Sequence, residues 1–299
     1  MIVKQYIKDF EKLGFGMFVH FGIYSVLGKG EWAKKLLSIS DEEYYKLCDE
    51  FRPAPDWAER LAAEAERAGC GYITLTARHH DGYSLYDTCG LNPLDAPHTC
   101  GRDLVREFVD ACRRHGILPF FYHTLLDWHE ESYRTDFKAY LKYLRKSVEL
   151  LCTNYGKIGG LWFDGMWDRL DEDWEEDELY GCIRKHQPEA MIINNTGLEA
   201  LGQLGHIELD SVTFERGNPQ PLNMEGAPKY VASEMCQVFA DHWGYAEQDL
   251  NFKSPADMIR DLVLCRRCGS NLLMNVGLRG DGTLREMDAA VYHLIGQWI

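Results

Sequence analysis

Apolar positions in this chain follow two rhythms. Short runs rich in β-branched and aromatic residues fall at 15–21 (FGMFVHF), 72–77 (YITLTA), 117–124 (ILPFFYHT), 160–164 (GLWFD), 190–195 (AMIINN), 208–214 (ELDSVTF), 230–238 (YVASEMCQV) and 271–276 (NLLMNV). Most are apolar nearly throughout, as expected of strands covered on both faces. Between them lie stretches of helical spacing: PDWAERLAAEAERAG with Pro at its start and Gly at its end, DLVREFVDACRRHG, TDFKAYLKYLRKSVELL, EDELYGCIRKH, SPADMIRDLVLCRRCG and a closing TLREMDAAVYHLIGQWI. Eight strands with intervening helices predict an α/β chain folded as a parallel (β/α)8 barrel of the TIM type, one domain over residues 1–299. A doubly wound open sheet is the runner-up. The alternation lapses in the second half, where 196–207 is too Gly-rich for a helix and 216–229 (RGNPQPLNMEGAPK) reads as a long loop, so one or two helices there are expected to be irregular or missing.

In such a barrel the chemistry sits at the C-terminal ends of the strands. Nearly every run here ends on polar residues: His20 on the first; His79, His80 and Asp81 on the second; His123 and Asp127 on the third; Asp164 on the fourth; Asn194 and Asn195 on the fifth; Glu215 on the sixth; Glu234 on or near the seventh; Asn275 on the eighth. His79 and His80 are adjacent, so a regular strand would turn them to opposite faces, and both serve one pocket only where the strand gives way to a loop.

Composition narrows the chemistry. With 32 Lys and Arg against 47 Asp and Glu, the net charge of -15 repels phosphate backbones and anionic lipid, which argues against nucleic-acid or membrane-surface partners. The N-terminal stretch has scattered charges and no apolar h-region, and the ten cysteines are dispersed, which together predict reduced thiols and a cytoplasmic setting. The Cys265-x-x-Cys268 pair falls inside a helical pattern with no second pair and is read as structural. Metal binding is disfavoured: a metal-dependent amidohydrolase barrel wants H-x-H on its first strand, and this chain has one histidine there.

A site of His, Asn, Trp, Tyr and carboxylates suits a polyhydroxylated ring, since imidazoles and amides exchange hydrogen bonds with hydroxyls and aromatic faces cover C–H patches. Trp32, Trp128, Trp162, Trp167, Tyr122 and Trp243 are the candidate platforms. Glycoside hydrolysis needs two carboxyl groups in different roles. Asp164, at a strand end before a Gly-containing loop, suits the ionised one; Glu215, Glu208 and Glu234, and less readily Glu31 or Glu199, are open for the protonated one.

These residues carry a resemblance to the α-L-fucosidases of glycoside hydrolase family 29, running from about residue 8 to the end. FGMFVHFGIYSV, the Glu31-Trp32 pair in GEW, LTARHHDGYSLYDT, RDLVREFVDACRRHGILPFFYHTLLDW, GGLWFDG and the WGY…NLLMNVGLRGDG ending each resemble a family block, in the family's order. The resemblance implies a retaining, exo-acting α-L-fucosidase acting on glycans with terminal fucose, with Asp164 as nucleophile, no metal and no cofactor. It also implies hydroxyl contacts from His20, Glu31, Trp32, His79 and His80, and an aromatic contact from Trp162; the strand-end reading adds Tyr122, His123 and Trp243 to the expected substrate site. SVTFERG resembles the family's TPE segment with Phe214 in place of Pro, making Glu215 the first choice for the acid/base ahead of Glu208 and Glu234. His123 stands where many relatives have Tyr. Family members usually continue into a C-terminal β-sandwich, so the expectation is a barrel-only member or part of a longer chain. A sugar-binding barrel without turnover, or a retaining glycosidase for a related sugar such as an α-galactoside, are the competing readings; linkage preference is open, and a homo-oligomer is compatible with the sequence.

Overall fold

The computed structural model describes residues 3–299. Eight strands, β1 (Phe15–His20), β2 (Tyr72–Arg78), β3 (Leu118–Thr124), β4 (Gly160–Asp164), β5 (Met191–Asn194), β6 (Ser211–Thr213), β7 (Ala232–Gln237) and β8 (Asn271–Gly277), pair in sequence order and close into a barrel. All pairings are parallel. Seven longer helices accompany them: α1 (Gln5–Leu13), α2 (Trp57–Arg67), α3 (Leu104–Arg114), α4 (Phe137–Asn154), α5 (Glu176–His186), α6 (Pro255–Cys268) and α7 (Glu286–Trp298). Strong local signals set their ends. At the start of α6, Ser254 Oγ accepts from Asp257 N at 3.2 Å while the Asp257 carboxylate accepts from Ser254 N at 3.3 Å, a reciprocal cap.

No long helix joins β5 to β6 or β6 to β7, as the Gly-rich and Pro-rich stretches there foretell. The ladder is also thinnest here, with one register pair, Ile193↔Ser211, between β5 and β6. A side chain makes up the deficit. Asp210 N donates to Ile192 O at 2.9 Å, and Ile192 N donates to Asp210 Oδ2 at 3.0 Å. The same carboxylate is bonded by Arg184 of α5 and accepts from Tyr6 of α1 at 3.0 Å.

Strand parity sorts the core into two layers. Val19, Ile73, Phe121, Phe163, Ile192 and Leu272 pack outward beneath the helices. Phe18, Tyr72, Phe120, Tyr122, Trp162, Ile193 and Leu273 fill the barrel interior. The N-terminal mouth is stoppered by α1, a helix the apolar pattern does not announce because it is short and heavily charged on its other face. Its Ile7 and Phe10 join the interior cluster, with the Phe10 ring 5.4 Å from Tyr72 and 5.6 Å from Phe120. The ten cysteines are all unpaired; Cys265 is buried with its sulfur 3.6 Å from that of Met235.

Side chains fill the lower half of the barrel, and the described cavity within it lies at the C-terminal mouth. Phe10 is 2% exposed and touches two interior aromatics. Phe10→Ala should therefore destabilise the fold by about 3–5 kcal/mol, read as a lower denaturant midpoint; an unchanged midpoint would show that α1 merely lies against the barrel.

Candidate active site

A cavity of about 660 Å³ opens at the C-terminal end of the strands. Phe18 and Trp162 form its floor, and His20, Glu31, Trp32, His79, His80, Tyr122, Asp164, Trp167, Asn195, Glu215, Cys236 and Trp243 line its walls. His79 and His80 both reach it because β2 ends at Arg78, after a register shift against β3 between Thr76 and Arg78. Free of the pleat, the two imidazoles turn the same way, with centroids 4.3 Å apart.

Asp164 is the last residue of β4, and Trp162, two residues earlier, shares its face. Three neutral donors converge on the carboxylate: Tyr122 Oη on Oδ2 at 3.0 Å, and Asn195 Nδ2 and Trp167 Nε1 on Oδ1 at 3.2 and 3.3 Å. The chain then turns sharply at Gly165, whose φ of 97° and close approach to Leu126, where a Cβ would meet the Leu126 nitrogen at 2.8 Å, demand glycine. Glu215 follows β6, two strands round the barrel from β4. Asn195 Nδ2 also donates to Glu215 Oε2 at 2.7 Å, so one amide nitrogen joins the two carboxyl groups. Given bonds of 3.2 and 2.7 Å to that nitrogen, the two oxygens lie no more than about 6 Å apart. Asn195 is itself held, with Thr213 Oγ1 donating to its Oδ1 at 2.9 Å.

Burial lifts the Glu215 carboxyl above the usual glutamate range, and the nearby Asp164 charge adds to this while the Asn195 donor pulls the other way. Glu31 is also raised, chiefly by burial, although Gly244 N donates to its Oε2 at 2.6 Å. Burial favours the neutral form of the three histidines here. Burial drives His20 down to about 3 and lowers both His79 and His80.

Their tautomers follow from their partners. Asn275 Nδ2 donates to Trp243 O at 2.7 Å, so its Oδ1 faces His20 Nδ1 at 2.6 Å as an acceptor, and the His20 proton sits on Nδ1. Thr124 Oγ1 donates to Leu126 O and is met by His80 Nδ1 at 2.6 Å, which places that proton on Nδ1 too. His80 Nε2 then carries a lone pair, 3.6 Å from Asp164 Oδ2. His79 Nδ1 is buried with no partner among the described residues.

Several residues expected at the site lie elsewhere. His123 follows inward-facing Tyr122 and therefore points outward, bonding Ser147 Oγ of α4 at 2.7 Å. Glu208 precedes β6, at the N-terminal end of the barrel, where Arg184 lies 3.6 Å away. Glu234 faces inward but too deep, opposite Asn271, the first residue of β8. Of the other strand-end residues, Asp127 is buried against Arg78 at 2.5 Å and Asn194 turns outward to Tyr180 at 3.0 Å. Trp128 backs Trp32 at 5.1 Å without lining the cavity, and Glu199 lies exposed at the rim. Conversely, Asn195 was legible only as a strand-end amide, and Phe18 and Cys236 not at all. The alternation of inward and outward positions would have found all three and rejected His123.

The alpha-L-fucosidase family model matches residues 3–299. An alpha-L-fucosidase of Dictyostelium discoideum is 25% identical over 97% of this chain and 69% of its own length. Among solved structures, alpha-L-fucosidase isoenzyme 1 from Paenibacillus thiaminolyticus superposes with a TM-score of 0.87 at 32% identity, over 98% of this chain and 75% of its own. A Lactobacillus casei alpha-L-fucosidase in complex with its alpha-L-fucose product shares the fold at 23% identity, with a TM-score of 0.84 over 99% of this chain and 98% of its own. An eight-stranded barrel with a carboxylate-lined, aromatic-floored mouth, matched along its whole described length, makes this chain a member of the alpha-L-fucosidase family of glycoside hydrolases.

Proposed function

We propose that this protein is a retaining, exo-acting alpha-L-fucosidase that removes terminal alpha-L-fucose from glycans, with Asp164 as nucleophile and Glu215 as general acid/base. The observation that carries the reading is the Asn195 bridge, which holds one oxygen of Asp164 and one of Glu215 no more than about 6 Å apart, a closeness that supports the retaining reading. An inverting enzyme needs a wider gap, to fit water between base and sugar.

In the first step an Asp164 oxygen attacks the anomeric carbon while Glu215 gives its proton to the departing glycosidic oxygen. This yields a fucosyl ester and a neutral alcohol. In the second, water attacks the same carbon, its proton passes to Glu215, and Asp164 leaves as a carboxylate. Glu215 suits both roles: burial keeps it protonated at higher pH than an exposed glutamate, and Asn195 stabilises it once ionised. The lone pair on His80 Nε2 is available to a sugar hydroxyl. Phe18, Trp162 and Trp243 offer an apolar surface for the fucose C5 methyl. This favours fucose over a galactose-type sugar, which carries CH2OH at that carbon.

Asp164→Ala should lower hydrolysis of an aryl alpha-L-fucoside by roughly 10³-fold or more, and NMR of the wild-type reaction should reveal α-fucose as the first product; undiminished activity, or initial β-fucose, would contradict the mechanism. Glu215→Ala should spare a substrate with a good leaving group far more than a natural glycan, with azide restoring rate. If Glu199→Ala gives that pattern instead, the acid/base is misassigned. Because activity needs Glu215 protonated, and burial raises its pKa, the alkaline limb of kcat/KM should fall above the ordinary glutamate range and disappear in Glu215→Gln. An aryl alpha-L-galactoside, with CH2OH replacing the methyl, should react about 10–100-fold more slowly than the fucoside, an apolar wall rejecting an added hydroxyl only to that degree; equal rates would remove the case for a methyl-binding wall.

A further inference from the structure

Glu234 is a buried acid that the double displacement leaves unused. It is 1% exposed, inside the barrel beneath the sugar pocket. Both oxygens are engaged: Tyr72 Oη donates to Oε2 at 2.5 Å, and Trp162 Nε1 donates to Oε1 at 2.8 Å. Neither donor is a cation. A carboxyl in such a place costs folding free energy that an apolar side chain of the same size would not.

The surroundings are arranged to keep it. Gly16 has no side chain where a Cβ would lie 2.4 Å from Tyr72 Cζ, so β1 gives way to let the Tyr72 phenol pass across to Glu234. Above, the Trp162 indole has one polar atom, a donor, and Glu234 takes it. The ring so anchored stacks on Tyr122, with centroids 5.7 Å apart and planes at 20°, and meets Phe18 edge-on at 5.1 Å. Tyr122 in turn donates to Asp164 Oδ2 at 3.0 Å. A continuous line of contacts therefore runs from Glu234 through two aromatic rings to the proposed nucleophile.

We propose that Glu234 is a positioning residue for the glycosidase reaction: it fixes the Trp162 indole as the floor of the sugar site and, through it, the Tyr122 hydroxyl on Asp164. This rests on the assignment of Asp164 and is independent of that of Glu215. The role needs an acceptor at Oε1 and no charge. Glutamine meets that need, with its carbonyl toward Trp162 and its amide toward Tyr72, while methionine fills the space without an acceptor.

The test is a double-mutant cycle on kcat/KM for an aryl alpha-L-fucoside, with L-fucose inhibition measured beside it. Glu234→Met and Trp162→Phe should each lower kcat/KM about 10–100-fold and weaken L-fucose, Glu234→Gln should stay within about 3-fold of wild type, and the double variant Glu234→Met, Trp162→Phe should be no worse than Trp162→Phe alone. Losses that multiply in the double variant would make Glu234 a plain core residue and overturn the proposal. Azide rescue of Glu234→Met would make it the acid/base and overturn both this proposal and the Glu215 assignment. Should Glu234→Met fail to fold, Trp162→Phe alone decides, since unchanged kinetics there would leave nothing for Glu234 to position. Activity surviving in Asp164→Ala is a separate failure, of the mechanism itself.

Discussion

Pairing of β8 back onto β1, over six residue pairs from Phe15↔Leu272 to His20↔Gly277, turns a sheet into a ring, and every group in the pocket takes its place from that closure. His20 and Asn275 come from the two strands that close it and are bonded to each other at 2.6 Å. His20 and Asp164 stand 144 positions apart in sequence and Asp164 and Glu215 stand 51 apart, yet around the ring the ends of β1, β4 and β6 open on a single mouth. The thin β5–β6 seam is the weak point of this closure, and Asp210 reinforces it by tying β5, α5 and α1 together through one carboxylate.

The same ring sets the electrostatics. Glu31, Asp164 and Glu215 share a pocket in a chain of net charge -15, and no lysine or arginine lines it among the described residues. Neutral donors do the stabilising, and burial keeps protons on Glu31 and Glu215 beyond the usual glutamate range. Aromatic packing beneath excludes water from the floor, which sharpens each remaining polar contact.

The strands and most helices were legible because buried parallel strands are apolar along their whole length, and because caps such as Ser254 and the glycine after α2 are strong local signals. α1 was not read, although Ile7 and Phe10 stand at helical spacing, because its nine residues are a short run among charges. Polar residues at strand ends pointed to the mouth that holds the cavity, and Asp164, His20, His79, His80, Glu31, Trp32, Tyr122, Trp162, Trp243 and Glu215 all line it. What the linear order conceals is direction and depth. His123 differs from Tyr122 by one residue and so by one face. Glu234 faces correctly but sits one layer too low, and Glu208 lies at the wrong end of its strand. Depth depends on strand register, which only the closed barrel defines.

The hydrogen-bond partners of His20 and His80 give the pocket a polarity. Asn275 and Thr124 take the Nδ1 protons, leaving imine nitrogens that accept and cannot donate. Hydroxyls meeting them must bring the hydrogen themselves. A sugar carrying fluorine in place of such a hydroxyl, equal in outline and lacking that hydrogen, would set one lone pair against another. On the proposed function, the pocket would at these two nitrogens distinguish which way a hydroxyl points its hydrogen as well as where its oxygen lies.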